Sequence, residues 1–100
     1  MEDRLSVHEI SDAPENLVVV LQYPGLETGP ARLVAPLLTD GALKPIPVVT
    51  VPVTLHGKSF LLAAHQMTAF PVEFIGNRVG SLLDHDYEIQ RALSRLFFGN

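Results

Sequence analysis

The residues equipped for catalysis or metal binding are few and dispersed. Four histidines, His8, His56, His65 and His85, include no i, i+4 pair and no shared short motif that would gather them around a metal ion. Asp84-His85-Asp86 brings two carboxylates and an imidazole together. Just ahead of an amphipathic segment, however, the simpler reading is that Asp84 caps a helix. Cysteine is absent, which removes thiolate ligands, disulfides and cysteine nucleophiles. Neither a Gly-x-Ser-x-Gly elbow nor a glycine-rich phosphate loop occurs. RNA cleavage would need an acid/base pair and a cation for the phosphate. Arg32 with His56 or His65 are the residues available for it. Each also has a structural reading: Arg32 in an ion pair, His56 in a turn, His65 at the start of a helix.

The elements that must position these residues are mostly short strands. Leu17 to Gln22 is β-branched and ends at Pro24-Gly25, which predicts a strand. Tyr23 to Ala31 holds a Pro-Gly and a Gly-Pro pair around Leu26-Glu27-Thr28 and reads as a loop. Arg32 to Leu38 is a second strand, with Pro36 suggesting an edge or a bulge. From Ile46 to Leu55 valines are interrupted by Pro47 and Pro52, the pattern of a bent strand at a sheet rim. His56-Gly57 is a turn and Lys58 to Ala64 the returning strand. A single helical turn is expected within His65 to Phe70, then a short strand from Pro71 to Ile75 ending at Gly76-Asn77.

The last element is a helix. Asp84 is placed to cap it, and Asp86 and Glu88 favour its positive end. Ile89, Ala92, Leu93, Leu96 and Phe97 fall at i, i+3, i+4, i+7 and i+8, one apolar stripe for the core, and Gly99 ends it. Short strands followed by one helix predict an α+β, mainly β domain: a small, strongly bent antiparallel sheet or barrel with a C-terminal α-helix.

Composition narrows the function. The chain has 100 residues, expected to form one domain over 1–100, and almost half of them are apolar. A net charge of −4 with seven scattered Lys and Arg argues against a free-standing nucleic-acid binder. The acidic opening Met1-Glu2-Asp3-Arg4 is unlike a signal peptide, and no apolar run reaches the roughly 20 residues of a membrane span. A cytoplasmic protein without cofactor or metal is expected.

Phe98 does not fit the core. It lies opposite the apolar stripe, with Tyr87, Arg91 and Ser94 on its own side. Either it packs on loops of its own chain at a frayed end, or it is covered by a partner.

The order and spacing of several segments resemble the CcdB family of bacterial toxins. Pro71-Val-Glu-Phe-Ile-Gly76 is similar to that family's Pro-Val-x-Val-Ile-Gly, and Leu96-Phe97-Phe98-Gly99-Asn100 to its ending Met-Phe-Trp-Gly-Ile. Arg32-Leu-Val-Ala-Pro36-Leu37 is similar to its Arg-Met-Val-Ile-Pro-Leu. The resemblance implies a small SH3-like barrel of bent antiparallel strands with a C-terminal α-helix, forming a homodimer that catalyses nothing. Such a toxin binds the DNA gyrase A subunit and traps the gyrase–cleaved DNA complex. A cognate CcdA-like antitoxin neutralises it, and the pair reaches operator DNA together. By position it implies gyrase contacts at Phe98, Gly99 and Asn100, with Ser94 one turn earlier. In the loop it implies Gly25 and Leu26, where the family has two isoleucines, and Glu27, where it has an aspartate. Phe98 is a weaker cation–π partner than the family's tryptophan, so an attenuated, non-toxic homologue is one alternative. A Kid/MazF-like endoribonuclease on the same barrel is another.

Overall fold

The computed structural model describes residues 3–39 and 41–100; Met1 and Glu2 of the acidic opening lie outside them. The strands are β1 (Ser6–Ile10), β2 (Ala13–Val20), β3 (Ala31–Thr39), β4 (Thr50–Leu55), β5 (Lys58–Ala63), β6 (Thr68–Pro71) and β7 (Ile75–Ser81), and α1 covers Asp86–Phe98. They form one curled antiparallel sheet in the order β4-β5-β3-β2-β1-β7, with β6 added to β3. This is the expected α+β half-barrel with its terminal helix.

The valine run of β2 is continuous because both of its faces are covered. Val19 joins the core under α1, made with Leu5, Val7, Leu37, Leu62, Leu82, Ile89 and Ala92. Val18 and Val20 point the other way, into a second cluster with Val34 that Ile10, Phe70 and Ile75 partly close.

Proline positions follow the pairing. Pro52 lies in edge strand β4. Its nitrogen and that of Thr54, two residues on, face the same free edge, where Thr54 N–H donates to His85 Nε2 at 3.3 Å. Pro36 is not on an edge strand, contrary to expectation, since β3 is central. β3 pairs with β6 over Ala31–Val34 and with β5 over Leu37–Thr39. Pro36 falls in the gap between them, where no ladder bond requires its missing N–H. At the β4–β5 hairpin His56 and Gly57 both have positive φ, 51° and 77°, the primed geometry that matches strand twist.

Three other expectations are corrected. Pro71 to Ile75 is not a strand: Val72–Phe74 is a 3₁₀ turn between β6 and β7, pinned by Val72 N–H to Pro30 O and Ser11 N–H to Phe74 O. Asp84 does not cap α1. It sits in a 3₁₀ turn over Leu83–His85, and the residue at the cap position is His85. The apolar stripe is buried only at its start, for Leu96 is 37% and Phe97 60% exposed; the sheet does not cover the last helical turn. Strand β1 was also not foreseen; its Ser6 and His8, on the face opposite core residue Val7, are polar yet buried. His8 Nδ1 lies 3.1 Å from Gly76 O, an acceptor only, and Nε2 lies 2.9 Å from Ser6 Oγ, so the burial is satisfied by hydrogen bonds.

Candidate functional site

The end of α1 is built to hold an exposed surface firmly. Its N-terminus is tied down by Asp86, which accepts from Arg4 and, at 3.0 Å, from Gln90 Nε2. The Arg4 hydrogen bond, then that of Gln90, holds the Asp86 carboxyl below its ordinary value. Its C-terminus closes at Gly99, whose φ of 77° lets its N–H reach Arg95 O at 2.9 Å. Arg95 Nη1 in turn donates to Gly99 O at 3.2 Å.

Phe98 is 77% exposed and Tyr87 74% on the outer face of this helix. The rings of Phe97 and Phe98 stand 6.5 Å apart. Ser94 and Asn100 share an open groove with Asp86, Tyr87, Gln90 and Arg91. Of the expected contact residues, Ser94, Phe98, Gly99 and Asn100 are thus brought together at the helix end.

Gly25, Leu26 and Glu27 form a second group, in the β2–β3 loop. They line a different groove with Val20, Gln22, Pro24 and Arg32. Gln22 organises the loop: its Nε2 donates to Leu26 O at 3.3 Å and Thr28 Oγ1 at 3.1 Å, and its Oε1 accepts from Leu33 N–H at 2.7 Å. Glu27 Oε1 accepts from Gly29 N–H at 2.8 Å and lies 3.6 Å from Arg32 Nη1. Tyr23, 65% exposed in this loop, was passed over by the sequence reading. Its signal was a large aromatic in a segment with no core to join.

Among the described residues, two of those considered for RNA cleavage, Arg32 and His56, are held by hydrogen bonds, and His65 is not. Arg32 opens β3 and donates to Gly29 O and Ala31 O. His56 sits in the hairpin turn with Nε2 2.6 Å from Val79 O. His65 lies in the Ala64–Gln66 turn, where its buried Nδ1 has no hydrogen-bond partner. Among the described residues no three His, Cys, Asp or Glu are grouped to hold a metal ion, and no helix is long and apolar enough to cross a membrane.

Residues 5–99 match the model of the CcdB protein family. The chain belongs to the CcdB family. CcdB membership makes it a toxin of the toxin–antitoxin kind. A search of curated proteins found no match. Solved structures share its fold. One is the Mycobacterium tuberculosis toxin MazF-mt6, with a TM-score of 0.75 and 20% identity over 92% of this chain and 95% of that one. Another is an endoribonuclease from a mycobacterial species, with a TM-score of 0.75 and 12% identity over 93% and 88%. A third, an endoribonuclease solved with its cognate antitoxin, also from a mycobacterial species, gives 0.75 and 11% over 94% and 92%. At such identities the likeness extends to the fold alone. The CcdB match, by contrast, spans nearly the whole chain.

Proposed function

We propose that this CcdB-family toxin acts as a homodimeric, non-catalytic gyrase poison. It binds the DNA gyrase A subunit, holds the enzyme on cleaved DNA, and is neutralised by a cognate CcdA-like antitoxin. The observation that carries the reading is the Phe98 ring, 77% exposed beside the 60% exposed Phe97, on a helix tied to Arg4 at its start and capped by Gly99 at its end. A full phenylalanine burial is worth about 1.5–3 kcal/mol, so two adjacent rings left in water favour association.

The contact surface is Phe98, Gly99 and Asn100 near a two-fold axis, with Ser94 one turn before them. Gly25, Leu26 and Glu27 flank it from the loop. In one protomer Ser94 and Asn100 line one groove and Gly25, Leu26 and Glu27 another, an arrangement that suits a site completed by symmetry. The chain works as a single domain in the cytoplasm, where gyrase and the antitoxin are. It reaches operator DNA only through the antitoxin, in keeping with its net charge of −4.

Titration of the purified protein against the gyrase A subunit tests this. Binding that disappears in Phe98→Ala is expected. A wild type that does not bind overturns it.

A further inference from the structure

Gly25 is bare for a specific reason. It does not adopt a positive φ, so its backbone would tolerate a side chain. Yet a Cβ built there would stand 2.6 Å from Tyr23 Cε2 and 3.2 Å from Cδ2. The Tyr23 ring therefore lies directly on the Gly25 backbone, in the space a side chain at 25 would take.

The support under that ring is firm. Leu26 N–H donates to Tyr23 O at 3.1 Å, closing the turn beneath it. Gln22 ties Leu26 and Thr28 to the start of β3, and Thr28 Oγ1 donates to Ala31 O at 2.6 Å. Even so the ring is 65% exposed, next to Leu26 at 59%. An aromatic with only two rotatable side-chain bonds, carried on a hydrogen-bonded loop and left in water, loses little freedom on association.

We infer that Tyr23, seated on Gly25, is the aromatic anchor through which the β2–β3 loop contacts the gyrase A subunit. The inference rests on the gyrase reading above and adds to it a residue outside the contacts proposed there. Leu26 extends the apolar surface, while the phenol hydroxyl calls for a polar group on the partner. Glycine at 25 is then a requirement of specificity, because any side chain there displaces the anchor.

The test is titration of the gyrase A subunit with wild type, Tyr23→Ala and Gly25→Val, with thermal unfolding of each. Tyr23→Ala should weaken binding by about ten- to thirtyfold, the loss typical of an aromatic anchor, with an unchanged unfolding temperature. Gly25→Val should weaken it comparably by pushing the ring aside, even though Tyr23 remains. In Tyr23→Ala/Gly25→Val the valine fills the vacated space, and part of the affinity should return. If wild type binds and both single variants bind within twofold of it, the inference fails and the gyrase reading stands. If wild type does not bind, both fail.

Discussion

The carbonyl oxygen of Glu9 stands 2.8 Å from where a Cβ on Gly76 would lie, and the Cα of Ser11 is 3.4 Å from the same point. The close approach occurs where β1 is irregular between Glu9 and Ile10 and crosses β7. It gives a physical reason for glycine at the end of the Pro71 to Gly76 segment. The same Gly76 carbonyl receives the buried His8 ring. Gly76→Ala is expected to cost about 1–3 kcal/mol, because backbone rather than a flexible side chain must move. Urea unfolding would show it as a lower midpoint with an unchanged slope.

Position along α1 separates residues that serve the core from those left exposed. Ile89 is fully buried and Phe97 60% exposed, although both lie on the same apolar stripe. Ile89→Ala should destabilise the fold by about 2–5 kcal/mol. Phe97→Ala should change stability by less than about 1 kcal/mol. Thermal unfolding of the two variants side by side would check the contrast.

Two carboxylates set a small acid-side dependence. Arg78, chiefly by its hydrogen bond, lowers the Asp3 carboxyl, and Arg4, then Gln90, lowers that of Asp86, each from an ordinary 3.8. A lowered folded-state value means stability that is present above 3.8 and lost as pH falls below it through the folded value. Asp3→Asn/Asp86→Asn should thus be less stable than wild type at pH ~7, the gap narrowing at pH ~3, below 3.8. Both groups are partly exposed and solvent-screened, so the gap is small. Denaturant midpoints at the two pH values would measure it.

Much of the fold was legible because it rests on local pattern. The valine run of β2, the Pro-Gly loop and the 3.6-residue stripe of α1 each signal their element within a short window. β1 was not legible. Its Ser6 and His8, opposite Val7, look polar and exposed, and the burial of His8 depends on a hydrogen bond to Gly76, 68 residues away. Phe97 misled for a related reason: helical phase gives a direction, not whether the sheet extends far enough to cover it. The outward direction of Phe98 could be read from phase, but not whether loops of its own chain cover it. Tyr23 had a signal, an aromatic in a loop with no core to join, but its seat against Gly25 had none.

Phe98 stands where the resemblance implies a tryptophan, the stronger partner for a cation. Phe98→Trp should therefore tighten binding to the gyrase A subunit by about 0.5–1 kcal/mol, a few-fold in dissociation constant. A calorimetric titration beside the wild type would detect it. Weaker binding by the tryptophan variant would point to a gyrase surface matched to phenylalanine.

The most direct measurement is of cleaved DNA. Gyrase, supercoiled plasmid and ATP are incubated with wild-type protein or Phe98→Ala, and the double-strand breaks trapped on denaturing the enzyme are counted. Breaks that accumulate with the wild type and fall to background with Phe98→Ala are the predicted result. Wild-type protein that traps no breaks at saturating concentration, or a variant that traps as many, would contradict it.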